Sequence, residues 1–230
     1  MTPYYDRDGI TIYHGDCREV LPTIDPATVA LVIADPPYGI ALDTANRSRK
    51  RGALAAANDY ASVVADDEPF DPSHLFRFRR LMLFGANHYA ERLPASASWL
   101  VWNKTAGLRS DRPIGFNDNA DAELIWTNLG GPVRILGHQW IGLMKATERG
   151  ESRVHPTQKP VALVRWLIEH YTKPGDLILD PYMGSGTTPR ACADSGRRCI
   201  AVDVVREYCR VAVRRLAQQV LPFVTEEAAD

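Results

Sequence analysis

The sequence has no apolar run approaching the roughly 20 residues that span a bilayer. Its opening residues, MTPYYDRDGI, lack the basic start and apolar core of a secretory leader. A soluble intracellular chain is the expectation. The four cysteines, Cys17, Cys192, Cys199 and Cys209, form no CxxC pair and lie at no zinc-ligand spacing, so reduced, partly buried thiols are expected and no metal site. Neither sign of charge dominates: a formal net charge of −1 neither demands nor forbids a nucleic-acid partner, because phosphate binding depends on local charge. Two nucleotide signatures are also missing. No lysine follows Gly186, so the GxxxxGK[ST] loop is absent, and Pro189 stands where GxGxxG needs its last glycine. A dinucleotide or a triphosphate is therefore disfavoured.

What is present suits one α/β domain over residues 1–230: the chain is 45% hydrophobic and 24% charged, enough for one well-packed core. Short apolar runs read as buried strands at VALVIAD (29–35), LMLFG (81–85), SWLVW (98–102), AELIWT (122–127), DLILD (176–180) and CIAVD (199–203). Helical signals lie between them. Asp71-Pro72 reads as a cap with a first-turn proline, and Pro160 opens a helix with Leu163, Val164, Leu167, Ile168 and Tyr171 at three-four spacing. The last helix repeats the pattern from Val205 to Val220. The alternation predicts an open, mostly parallel, Rossmann-like sheet with helices on both faces, whose ligands bind beyond the carboxyl ends of the strands.

Three strand ends carry chemistry. DLILD runs into PYMGSGTT, where Gly184-Ser185-Gly186 can turn with positive φ and the following helix start presents free N–H groups to a polar ligand. CIAVD ends in Asp203, a carboxylate placed to accept from a ribose diol, so a nucleoside-bearing cofactor is expected, although a glycine turn before a helix is often mere architecture. VALVIAD ends in Asp35-Pro36-Pro37-Tyr38. The prolines fix the backbone and remove its donors, leaving the Asp35 carboxylate and the Pro36 carbonyl as a rigid pair of acceptors for one exocyclic amino group. Tyr38 offers a ring on which a nucleobase can stack.

DPPY at 35–38, HPTQKP at 155–160 and DPYMGSGTT at 180–188, in that order, resemble the amino-methylating DNA methyltransferases of the circularly permuted beta type, small phage enzymes among them. The resemblance runs from about Asp16 to Tyr208. It implies transfer of a methyl group from S-adenosylmethionine to the exocyclic nitrogen of a flipped DNA base, adenine N6 rather than cytosine N4 because Asp leads the motif. Asp35, Pro36, Pro37 and Tyr38 would be catalytic. Asp180, Pro181, Tyr182, Met183, Gly184, Ser185, Gly186, Thr187 and Thr188 would line the cofactor pocket, Asp203 would take the ribose hydroxyls, and Asp16 with Cys17 would lie against the adenine. His155, Thr157 and Lys159 of HPTQKP would complete the pocket, Thr157 and Lys159 on the methionine carboxylate. Asp203 and Tyr182 stand where relatives more often carry Glu and Phe, changes that keep the chemistry.

Residues 40–65, with Arg47, Arg49, Lys50 and Arg51, are expected to form a mobile DNA-contacting loop. Residues 127–153 lie where the family places target recognition, and their shortness implies a short recognition sequence or a homodimer. The resemblance further implies a cytoplasmic protein of a bacterium or a phage-infected host. Two readings from other classes remain beside it, an RNA or protein amide methyltransferase and a non-catalytic cofactor-binding or DNA-binding module.

Overall fold

The computed structural model describes residues 1–40, 66–106, 120–141, 144–148 and 158–218. Most of the 40–65 segment with its basic cluster, His155 and Thr157, and parts of the 127–153 region lie outside them. Strands β1 (Tyr5–Arg7) and β2 (Ile10–His14) form a hairpin, followed by the short helix α1 (Cys17–Val20). Then come β3 (Val29–Ala34), β4 (Leu81–Phe84), β5 (Trp99–Asn103), β6 (Ala122–Thr127) and β7 (Arg134–Gly137). The small pair β8 (Trp140–Ile141) and β9 (Met144–Lys145) precedes α2 (Val161–Tyr171), β10 (Leu177–Asp180), α3 (Thr187–Ser195), β11 (Arg198–Asp203) and α4 (Arg206–Ala217).

The main sheet has the order β1-β2-β11-β10-β3-β4-β6-β5-β7. Strands β2, β11, β10, β3 and β4 run parallel to one another. β6 runs against both of its neighbours, β4 and β5, while β7 returns parallel to β5. The carboxyl ends of β2, β3, β4, β5, β10 and β11 therefore share one edge of the sheet with the amino end of β6.

Each face of the sheet has its own core. On one, Leu163, Val164, Leu167 and Ile168 of α2 pack with Ala191 and Cys192 of α3 and Cys209 and Ala212 of α4 against Ile10, Leu31, Ile33 and Ile178. On the other, Cys17, Val20, Leu75, Phe78 and Tyr89 cover Val32, Leu83, Leu179 and Val202. Every strand in the centre must thus be apolar on both sides, which is why these runs do not alternate. The second face is covered by α1 and single 3₁₀ turns rather than by long helices. The expected helix after Asp71-Pro72 is one such turn, Ser73–Leu75. Asp71 accepts from the Ser73 N–H at 3.0 Å, so the carboxylate caps as expected, but Phe78 and the basic residues beyond it lead directly to β4.

All four cysteines are buried and unbridged. Among the described residues no helix is long and apolar enough to cross a membrane, and none of their His, Cys, Asp and Glu side chains form a cluster of three that could hold a metal ion.

Candidate active site

At the shared edge lies a cavity of about 820 Å³, within the size range of sites for drug-sized ligands. It is lined by Asp35, Pro36, Pro37 and Tyr38 after β3, by Asp180, Pro181, Tyr182, Met183, Gly184 and Ser185 with Thr187 and Thr188 after β10, by Asp203 after β11, and by Asp16 and Cys17 after β2. β3 and β10 are neighbours in the sheet. The chain leaves β10 through α3 to β11 on one side while β3 lies on the other, so the two motif loops flank the point where the strand order reverses.

The glycine loop is held by side chains behind it. Gly184 N–H donates to Asp203 Oδ2 at 2.9 Å, and Val205 N–H donates to Oδ1 at 2.7 Å. The Arg215 guanidinium of α4 reaches the Ser185 carbonyl at 3.0 Å and its hydroxyl at 3.2 Å. Gly186 does not line the cavity as expected. It has φ +83° at the start of α3, and a β-carbon there would meet Ala212 at 2.5 Å, so this glycine permits the close approach of α3 and α4. Tyr182, half-buried and edge-on to Phe70 at 5.5 Å, shares a 2.8 Å hydrogen bond with His74. Asp16 caps α1 by accepting from the Arg18 N–H at 2.8 Å, and the Arg18 side chain holds its carboxyl below the ordinary value.

Burial pushes the Asp180 carboxyl up to about 7, against the hydrogen bonds it accepts from Thr188 and the Tyr182 N–H. The folded chain therefore keeps a proton that an unfolded carboxylate has released, and the stability this gives is present at low pH and lost as pH rises through about 7. Replacing Asp180 with Asn should remove that slope. Thermal unfolding of both proteins between pH 5 and 8 should show the melting temperature of the unaltered chain falling relative to Asp180→Asn; a constant difference would refute it.

The DPPY loop is pinned at its far end, where Asp66 Oδ1 accepts from the Gly39 N–H at 2.8 Å and the Ile40 N–H at 3.3 Å. Tyr38 lies over the α-carbon of Gly85, where a β-carbon would collide with the ring, and stacks on His88 at 5.1 Å and 12°. The expected stacking platform thus has a protein partner, and its hydroxyl is part of the charged centre. Tyr38 OH lies 2.5 Å from Asp35 Oδ1, and Lys159 Nζ donates to Oδ2 at 2.6 Å. Lys159 was expected on the cofactor's carboxylate. Its ammonium is turned to the DPPY side, and Lys159 also lines the cavity.

A second carboxylate completes the centre. Glu123 Oε1 lies 3.0 Å from Lys159 Nζ and 3.0 Å from Tyr38 OH, and Oε2 lies 2.7 Å from Lys104 Nζ. Lys104 follows β5, and Glu123 stands opposite Trp102 in the β5–β6 pairing. Two lysines and two carboxylates therefore alternate, which compensates charges that burial would otherwise make costly. Burial pushes Glu123 up, but Lys159 and Lys104 pull it down to about 2. For Lys159 burial acts downward, and Asp35 with Glu123 more than reverse it. Asp35 stays above the ordinary carboxylate value, raised by burial and by Glu123 against the pull of Lys159. Burial and both carboxylates keep the Tyr38 hydroxyl protonated.

The sequence reading missed Glu123, Lys104, Gly85 and His88. Only the first has a signal that could have been used: a lone acid within the apolar run AELIWT.

Residues 119–214 match the family model described as DNA methylase, the N6/N4 type. Over 93% of its length the chain is 25% identical to the type II methyltransferase M2.LlaDCHI of Lactococcus lactis subsp. cremoris, of which 91% is covered. Among solved structures it is similar to the M1.HpyAVI–SAM complex, with 24% identity, TM-score 0.52, and 90% of this chain and 100% of that one covered. It is also similar to the cytosine-N4-specific PvuII DNA methyltransferase, with 15% identity, TM-score 0.60, and 95% and 90% covered. The fold is the Rossmann-like fold of S-adenosylmethionine-dependent methyltransferases. Over residues 119–214, and in this fold, the chain is similar to the N6/N4 DNA methylases.

Proposed function

We propose that the chain transfers a methyl group from S-adenosylmethionine to the exocyclic amino nitrogen of a DNA base, adenine N6, as a member of the permuted beta type. The observation that carries this reading is the single cavity that joins the Asp35 carboxylate to the glycine loop after β10. The residues present suit the donor. Asp203 lines the cavity at the end of β11, where a ribose diol can donate to it, and Asp16 and Cys17 line it after β2. When bound, S-adenosylmethionine supplies a sulfonium methyl group, whose carbon–sulfur bond breaks as the nitrogen lone pair attacks, leaving a neutral thioether.

The work of the chain is done on the amino group. Its lone pair is conjugated into the ring, and hydrogen bonds to Asp35 and the Pro36 carbonyl draw it toward tetrahedral geometry. They also stabilise the positive charge that develops there, with acceptors already in position. The extra proton leaves after transfer, because a methylated aromatic ammonium is acidic. Reaching the base in a duplex requires flipping it, at a cost of a few kcal/mol. Arg47, Arg49, Lys50 and Arg51 would contact phosphates, and part of 127–153 would read the site. The motif order and the match of residues 119–214 to the DNA methylase family model support DNA as substrate over RNA or a protein amide. The fold likeness to PvuII favours cytosine N4 as the second reading, while Asp at the head of the motif favours adenine.

Incubation of the protein with DNA and labelled S-adenosylmethionine, digestion to nucleosides and mass spectrometry should give N6-methyladenosine of the deoxy series. N4-methylcytosine would replace the first reading with the second, and label in RNA or protein alone would overturn both.

A further inference from the structure

Resting on the reading that Asp35 receives the base amino group, we propose that Glu123 is a positioning residue: it is the alternative acceptor to which Tyr38 and Lys159 turn when the base amino group takes their place on Asp35. Both oxygens of Asp35 are engaged, Oδ1 by the Tyr38 hydroxyl at 2.5 Å and Oδ2 by the Lys159 ammonium at 2.6 Å. Each of these donors also lies 3.0 Å from the same Glu123 atom, Oε1. The Tyr38 hydroxyl has a single proton and can donate to only one carboxylate at a time. Rotation of one O–H bond and a small shift of one ammonium therefore suffice to hand both donors over.

Charge supplies the reason for the exchange. The amino nitrogen becomes positive as it is methylated, and an ammonium held on the same carboxylate opposes that charge. With Lys159 on Glu123, the Asp35 charge faces the base. Glu123 is held ready to receive both donors. Lys104 holds its Oε2 at 2.7 Å, leaving Oε1 for the shared donors, and the β5–β6 pairing opposite Trp102 fixes its backbone. At rest the same contacts keep the acceptors of Asp35 satisfied rather than bare.

The test uses the full chain and a duplex carrying its methylation site, mapped by sequencing DNA methylated in vitro, beside the same duplex with an abasic target position. Glu123→Gln keeps the shape but lacks the charge that draws Lys159 away. It should lower kcat by about 10²-fold, the scale of a small misplacement of the reacting groups, with cofactor affinity kept. Its affinity for the base-bearing duplex should fall relative to the abasic one, which has no amino group to accept. Should that protein fail to fold, Glu123→Asp keeps the charge and withdraws the acceptor by one methylene, and the same relative loss is expected. Unchanged kcat, or equal losses on the two duplexes, would overturn the proposal and leave the function intact. Absence of methylation by the unaltered chain would overturn both.

Discussion

Asp35→Ala is expected to lower kcat for methyl transfer by about 10²- to 10³-fold, the scale set by removing one preorganised group that stabilises developing charge. Cofactor affinity should be unchanged, because the glycine loop is held by Asp203 and Arg215 and not by Asp35. Removing one partner of a buried ion pair costs about 3–5 kcal/mol when the other charge is left alone. Here Lys159 retains Glu123 at 3.0 Å, so the loss of stability should fall at or below the low end of that range. Calorimetry with the methyl donor, chemical denaturation and single-turnover methylation separate the three quantities. Full activity in the variant would remove Asp35 from the mechanism, and lost cofactor binding would mean that the two ends of the cavity are not independent.

Gly186→Ala should have the second large effect, on the other end of the cavity. The added β-carbon would stand 2.5 Å from the Ala212 side chain and 2.8 Å from its α-carbon, and backbone cannot give way as a flexible side chain can. The φ of +83° adds strain for any residue with a β-carbon. Overpacking and a strained backbone together are worth about 2–6 kcal/mol. Separating α3 from α4 also displaces the loop that Arg215 and Asp203 hold, so cofactor binding should fall with stability. Gly130→Ala is the control: its φ is +77°, but nothing lies within 4 Å of an added β-carbon. Denaturant midpoints of the two proteins should therefore differ, and equal losses would show that the contact with Ala212 is relieved at no cost.

The central strands were legible because burial on both faces leaves them apolar throughout, and VALVIAD, DLILD and CIAVD all form where the composition places them. Asp35, Asp180 and Asp203 were legible with them, since each closes the carboxyl end of such a run. Glu123 was not, because β6 runs backwards and brings its first residues to the site. The outer strands escaped for a different reason: YDR of β1 is mostly exposed and held by one neighbour, so it needs no apolar signature. Tyr38 stacking on His88, or passing over Gly85, joins residues far apart in the chain and leaves no local pattern. The ion pairs of Lys159 with Asp35 and Glu123 were not legible, since a lysine near the start of a helix suits an anion of either origin. Which carboxylate it meets depends on the lateral order of β10, β3 and β4, which alternation of elements leaves open.

The reversed strand also sorts the surface connections by how far a change in them can travel. The turn from Asn128 to Val133 leaves β6 at the edge away from the cavity, so residues could be added or lost there with the catalytic pocket undisturbed. The connection between Asn103 and Ala122 begins and ends at the cavity, with Lys104 just after one strand and Glu123 just inside the other. Any alteration of its length pulls on an ion pair rather than on a loop. Variation among relatives in how they present this stretch would therefore reach the ion pairs beside Asp35, whereas variation in the Asn128–Val133 turn would not.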